Sequence, residues 1–188
     1  MVAGLGQRIT ILPTKESNNE RDKVYLCRQH KTKVMVYYSF AQTDKDYERA
    51  RELFNEYALS IDNAHDFKNF DAELINIQYI YGLPGGGILL AEEEGQTLGC
   101  SCIRKLEGEI AELKRFYVKP ASRGRKIGSE LLKASIQLAT DLGYKKIRLN
   151  SLPDMKRAQD MYGTTGFYEI PPYYDNGIPG TIFMEKIL

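Results

Sequence analysis

Ala111-Glu-Leu-Lys-Arg-Phe-Tyr-Val-Lys-Pro-Ala-Ser-Arg-Gly-Arg-Lys-Ile-Gly-Ser-Glu-Leu-Leu132 is the stretch that decides how this chain folds. It opens as a strand of aromatic and branched residues, closed by Pro120, and ends in the first turns of a helix. Leu113, Phe116 and Val118 do not share a strict two-residue period. If all three face the core, the strand gains one residue between 113 and 116, which is a β-bulge. Backbone N–H and C=O groups at a bulge lose their ladder partners, and an extended ligand carrying amides is one partner they would accept. A regular strand with Glu112, Lys114, Phe116 and Val118 on one face fits the same letters, and both readings stand at this point.

The junction Arg123-Gly-Arg-Lys-Ile-Gly128 adds a second signal. Glycine lets backbone amides come close to a ligand, and the amides that open the next helix have no partner within it. Arg123, Arg125 and Lys126 add cations, so the site suits a phosphate or pyrophosphate. A basic, glycine-containing surface turn has the same composition. A Walker A loop is excluded because no Gly-Lys-Ser/Thr follows at its spacing, and a dinucleotide fingerprint because G-x-G-x-x-G is missing.

Working outward, a strand is expected from Val34 to Tyr38. Thr43 then caps a helix whose first turn carries Asp44 and Asp46, with Tyr47, Ala50, Phe54, Tyr57, Ala58 and Ile61 on one apolar stripe. A second short helix fits 67–77. Three strands follow as a meander, 88–92, 97–106 and 109–118, joined by Glu93-Glu-Gly-Gln96 and Glu107-Gly108. A long helix over 126–142 ends at Gly143. A strand at 147–151, a helix at 154–164 and strands at 167–171 and 181–187 complete the order. A strand–helix–strand unit inside an otherwise antiparallel run implies an α/β (α+β) mixed sheet, mostly antiparallel with one parallel βαβ unit and flanking helices. Residues 1–32 are expected to form a peripheral N-terminal extension, with added edge strands as the other reading, and 33–188 one domain.

Composition narrows the function classes. Lys plus Arg is 26 against 25 for Asp plus Glu, a net charge of +1, so no global pull draws the chain to nucleic acid or an anionic membrane. No apolar run is long enough to span a bilayer, and the N-terminus lacks the apolar core of a secretory signal. Cys27, Cys100 and Cys102 are expected to be reduced thiols in a cytoplasmic protein, the last two sharing a strand face as buried small hydrophobes. His30 and His65 stand alone, so no metal site is expected.

Together these residues resemble the GNAT acyltransferase superfamily. Its acetyl-CoA motif has the form Arg/Gln-x-x-Gly-x-Gly/Ala, after a bulged strand and at the opening of a helix. Arg123, Ile127 and Gly128 fit it, Gly124 is common there, and Lys126 replaces the first glycine. Ala158-Gln-Asp-Met-Tyr162-Gly-Thr-Thr-Gly166-Phe167 is similar to the family's Ala-x-x-x-Tyr-x-x-x-Gly-Phe segment, with Met155 where an asparagine is usual. In element order the likeness runs from about 34 to 188.

The resemblance implies a GNAT-like acyl-CoA N-acyltransferase fold and transfer of an acetyl or other acyl group from acetyl-CoA to an amine, by direct attack in a ternary complex. It implies acetyl-CoA contacts at Phe116, Tyr117, Val118, Arg123, Gly124, Arg125, Lys126, Ile127, Gly128, Ser129, Asn150, Met155 and Ala158. The amide of Tyr117 or Val118 would meet the thioester oxygen. Tyr162 is the expected acid for the departing thiolate. Glu112 is the expected general base, a carboxylate salt-bridged to Lys114 or Arg115 being the other reading. Tyr173, Tyr174 and Asn176 are expected to line the acceptor pocket, or else to serve the turn and its packing. The implied acceptor is a small-molecule or peptide amine; no nucleic acid, membrane or metal is implied, and the chain is expected as a monomer or homodimer. A non-catalytic acyl-CoA-binding module is the alternative, kept open by Lys126 and Met155.

Overall fold

The computed structural model describes residues 35–61 and 69–188 in full, with the backbone of Thr10–Leu12 and Val24–Cys27. Those two segments are strands β1 and β2. They are followed by β3 (Val36–Phe40), α1 (Asp44–Leu59), α2 (Phe70–Ile75), α3 (Ile77–Tyr81), β4 (Gly87–Glu93), β5 (Gln96–Glu107) and β6 (Ile110–Val118). A single 3-10 turn (Pro120–Ser122) leads to α4 (Ile127–Asp141), β7 (Lys146–Ser151), α5 (Lys156–Thr164), β8 (Tyr168–Ile170) and β9 (Ile182–Ile187). Among the described residues the strands form one sheet in the order β1-β2-β3-β4-β5-β6-β7-β9-β8. Every adjacent pair is antiparallel except β6–β7, which is parallel and is joined through α4. The expected mixed sheet with one parallel unit is the architecture found. Within residues 1–32, β1 pairs with β2 and β2 with β3; the rest of 1–32 lies outside the described residues, as do Val34, Phe67 and His65.

Local chemistry explains the element ends. Thr43 and Asp46 form a reciprocal capping box at the start of α1. Gly143, at φ 85, ends α4 with its amide bonded to the Thr140 carbonyl, while the Tyr144 amide reaches Ala139. The helix expected over 67–77 is instead two short ones. It breaks at Asn76, whose side-chain amide bonds the Ala72 carbonyl at 2.8 Å and so competes with helix propagation.

Apolar residues fill both faces of the sheet. On one face α4 and α5 pack Ile127, Leu131, Leu138 and Tyr162 against Leu89, Ile103, Leu113 and Leu149. On the other, α1 and α3 pack Leu53, Phe54, Ile77 and Tyr81 against Ile88, Leu90, Cys100, Cys102 and Tyr117. Both of these thiols are fully buried as expected, and burial pushes them up from their ordinary ionisation range.

Candidate active site

The strand quoted first is bulged. Cys100 pairs with Tyr117 and Cys102 with Lys114, so Ser101 alone stands opposite both Arg115 and Phe116. Arg115 takes φ 51, which absorbs the extra residue. In consequence Leu113, Phe116 and Val118 all pack on the α4 face while Tyr117 packs on the other. Of the two readings of the strand, the structure shows the bulged one. Gly99 sits across from Val118, where a Cβ would come within 2.5 Å of the Tyr117 carbonyl oxygen; only glycine allows β5 this close.

The bulge opens a cleft. β6 and β7 pair only from Ile110–Glu112 against Lys146–Arg148. Beyond that they part, and the gap is lined by Leu113, Lys114, Arg115 and Phe116 on one side and by Leu149, Asn150 and Ser151 on the other. Leu152, Met155, Ala158 and Tyr162 close it from the α5 side, and Tyr57 from α1. Parallel strands that separate leave unpaired backbone groups facing each other, the setting in which an extended ligand can add its own hydrogen bonds.

The basic junction lies beyond the end of β6. Gly124 is at φ 82, and Lys126 at φ 62 adopts the left-handed conformation that glycine takes without strain. The substitution of lysine for the motif's first glycine therefore keeps a turn of the glycine type. α4 starts with no side-chain cap, so its first amides are available to an anion. Arg123 donates through Nε to the Val118 carbonyl at 3.1 Å, fixing the loop to the strand end. Ser129 donates to the Lys126 carbonyl at 2.8 Å. Arg125 is turned differently: its guanidinium pairs with Glu93 at the end of β4, so its side chain braces the loop. Gly128 packs near Met161, Val118 and Phe116, which seats the helix against the bulged strand.

Tyr162 is buried between Phe116 and Phe167, with ring centroids at 6.0 and 5.8 Å. Burial raises its phenol above the ordinary tyrosine value, so it stays protonated and able to donate. Glu112 has no exposed surface. Its Oε2 accepts from Arg104 at 2.8 and 2.6 Å, and its Oε1 accepts from Tyr173 at 3.0 Å. The salt-bridged state of this carboxylate is thus real, with Arg104 as partner in place of Lys114 or Arg115. Counting residues back from the Gly108 turn pairs 104 with 112, so that partner was there to be found in the hairpin register.

Tyr173 and Tyr174 lie in the loop between β8 and β9. Tyr174 donates to Asn150 Oδ1 at 3.0 Å, and Lys114 Nζ reaches the same oxygen at 3.4 Å. Both rings pack edge-on against Phe183, and together they wall an open groove within 172–183. Asn176 serves the turn: its side chain donates to Thr181 Oγ1 at 2.9 Å and accepts from the Ile178 amide at 3.1 Å. The structure thus gathers Phe116, Asn150, Met155, Ala158 and Tyr162 at one cleft; Tyr174 reaches it through Asn150, while Glu112 and Tyr173 do not line it. Lys114, Tyr57 and Arg115 are cleft residues that the sequence did not single out.

A family model described as the acetyltransferase (GNAT) family matches residues 38–167. The chain belongs to the GNAT acetyltransferase family. It is 36% identical over 149 residues to an uncharacterised N-acetyltransferase of Schizosaccharomyces pombe, covering 78% of this chain and 91% of that one. A thialysine N-epsilon-acetyltransferase of Bos taurus is 38% identical over 64 residues, 34% of this chain and 38% of its own. Among solved structures, the paia N-acetyltransferase of Thermoplasma acidophilum, crystallised with coenzyme A, is similar with a TM-score of 0.61 and 19% identity, over 84% of this chain and 100% of that one. That likeness shows a shared fold over most of the chain. No helix among the described residues is long and apolar enough to cross a membrane.

Proposed function

We propose that this chain moves an acetyl group from acetyl-CoA to a primary amine, with donor and acceptor bound together. The observation that carries the reading is the grouping of three features around β6. The bulge at Arg115 parts β6 from β7, the uncapped start of α4 follows it, and Tyr162 stands at the gap between them. The pyrophosphate is assigned to the loop 123–129 and the pantetheine amides to the parted strands at Phe116, Tyr117 and Val118. Asn150, Met155 and Ala158 are assigned to the far wall. The coenzyme A bound by the structurally similar Thermoplasma protein supports this choice of donor.

The chemistry makes three demands: a deprotonated amine, a stabilised oxyanion and a protonated leaving thiolate. Backbone N–H groups released by the bulge serve the oxyanion. Tyr162, kept neutral by burial, donates to the thiolate. Glu112 takes the proton of the acceptor ammonium, and because it is sealed from solvent that proton passes through the Tyr173 hydroxyl. Tyr173 and Tyr174 bound the acceptor, and Asn176 shapes the turn that carries them. The name of the bovine relative, which specifies an ε-nitrogen of a lysine analogue, favours a small molecule bearing a side-chain amine.

Thiol release from acetyl-CoA, followed across amino acids, polyamines, aminoglycosides and short peptides, tests the reading. Release that depends on an amine establishes it and ranks the acceptor classes. An empty panel together with no detectable acetyl-CoA binding overturns it.

A further inference from the structure

Arg115 is the residue that makes the bulge, yet it is one of the least suited to that backbone. At φ 51 a residue with a Cβ is strained, and the conformation persists only where the surroundings hold it. Here it is held from several sides. The guanidinium grips Glu73 of α2 with two hydrogen bonds, Nε to Oε1 at 2.8 Å and Nη2 to Oε2 at 2.5 Å. It lies over the Phe70 ring at 5.5 Å. The Arg115 carbonyl accepts from the Cys100 thiol at 3.4 Å. Glu73 also takes the Tyr81 hydroxyl at 2.7 Å, which ties α3 to the same point.

This ion pair is buried: the side chain of Arg115 is 4% exposed and that of Glu73 14%. Burial by itself would raise the Glu73 carboxyl, but the hydrogen bonds and charge of Arg115 outweigh it and hold the carboxyl below its ordinary value. α2 buries none of its own residues. Phe70 and Leu74 of this six-residue helix pack only partly against the core, so the ionic clamp adds a second fastening to the centre of the sheet, and its point of attachment is the strand position that opens the cleft.

We infer that Arg115 is a positioning residue for acyl transfer, its clamp to Glu73 holding the bulge backbone in register with the thioester. The inference rests on the acyltransferase reading of the cleft. Glu73 cancels the charge of the guanidinium, so Arg115 supplies geometry to the reacting carbonyl and no net positive charge. Geometry matters there because oxyanion donors act over a narrow range of distance, and a shift of about 1 Å in a catalytic group can lower a rate on the order of 100-fold.

The test uses three substitutions in the full chain. Arg115→Gly keeps a residue at ease with φ 51 and removes the clamp, Glu73→Gln loosens it from the other end, and Arg115→Lys restores a single charged contact. In the protein without ligand, hydrogen–deuterium exchange over 114–118 is expected to rise about tenfold in the first two variants, with α4 unchanged as the control for folding. With acetyl-CoA and the best acceptor, kcat is expected to fall about tenfold while KM for acetyl-CoA stays within about twofold. Arg115→Lys should recover part of the loss, and the Glu73→Gln/Arg115→Gly double variant should be no slower than Arg115→Gly. Unchanged exchange at 114–118 overturns the clamp, whatever the activity. Raised exchange with wild-type kcat overturns the positioning role alone. A wild-type protein that neither binds acetyl-CoA nor releases thiol overturns the acyltransferase reading, and this inference with it.

Discussion

Tyr173 donates a hydrogen bond to Glu112 across 3.0 Å, joining the loop before β9 to a carboxylate that has no exposed surface. Arg104 holds the other oxygen. The phenol is pushed far up by burial and by the neighbouring Glu112 charge, so it works as a neutral donor and acceptor and never as tyrosinate. If it relays the acceptor's proton, Tyr173→Phe breaks the chain without disturbing acetyl-CoA. We expect kcat/KM for the amine to fall ~10- to 100-fold and KM for acetyl-CoA to stay within about twofold. Glu112→Gln should show a loss of similar size, and the double variant little more. Steady-state kinetics over a range of pH decide it: a Tyr173→Phe enzyme with the wild-type profile removes the relay.

In the proposed reaction Tyr162 meets a different demand, the leaving thiolate. Its ring is sealed between Phe116 and Phe167, and burial raises the phenol, so the protonated form persists to higher pH than in a free tyrosine. Two outcomes follow from that sign. Tyr162→Phe should lower kcat ~10- to 100-fold with the affinity for acetyl-CoA unchanged. The wild-type rate should also show no basic limb near the ordinary tyrosine value of about 10 that the Phe variant lacks. Full turnover by Tyr162→Phe would take this residue out of the mechanism.

Parts of this arrangement were legible in the letters because they follow from local period and composition. The phase slip among Leu113, Phe116 and Val118 is a counting argument, and the bulge satisfies it. The Thr43 capping box rests on side chains a few residues apart, and the Gly143 stop on backbone bonds over a similar span. Other parts depend on contacts that local pattern does not encode. Glu73 and Arg115 are 42 residues apart and Tyr173 and Glu112 are 61 apart; each pair meets only once the sheet is assembled. Arg125 looks like a third cradle cation until the β4–β5 turn brings Glu93 beside it. Lys126 in a left-handed turn contradicts the propensity of lysine, and only the motif around it hints at a glycine-like backbone.

That lysine is itself testable. With φ 62 it carries the strain of a Cβ in the left-handed region, ~1 kcal/mol that glycine would not bear. Its ammonium, beside the uncapped start of α4, would compensate by attracting phosphate. Lys126→Gly is therefore expected to leave the melting temperature unchanged or raise it by a few degrees, while KM for acetyl-CoA rises about two- to fivefold. Lys126→Val, branched at Cβ, should lower the melting temperature and raise KM further. Thermal melts with and without coenzyme A separate the two effects. A clear loss of stability in Lys126→Gly would show that the side chain, and not the turn, is what the loop needs.

The sheet's far edge offers a prediction about pH and stability. Glu185 on β9 is 4% exposed and accepts from Lys146 at 3.0 Å, Arg148 at 2.8 Å and Tyr168 at 2.6 Å. Burial alone would raise its carboxyl, but these hydrogen bonds outweigh it and bring it from 4.5 down to about 2. A carboxyl lowered in the folded state contributes stability that is complete above its unfolded value and is lost as pH falls through the folded one. The window is therefore about 4.5 to 2. Urea unfolding at pH 7, 4.5, 3 and 2 should show Glu185→Gln less stable than wild type at neutral pH, by roughly 3–6 °C in a parallel thermal scan. The gap should narrow steadily below pH 4.5, because protonation strips the wild type of the charge the variant already lacks. Asp46, brought to about 2 by its capping hydrogen bonds and Arg49 against the opposing effect of burial, titrates in the same window. Some acid sensitivity should therefore survive in Glu185→Gln, carried by Asp46 and by Glu73, whose carboxyl is likewise held below its ordinary value. A gap that stays constant from pH 7 to 2 would mean that Glu185 contributes by shape and packing, and that its ion pairs with Lys146 and Arg148 add nothing.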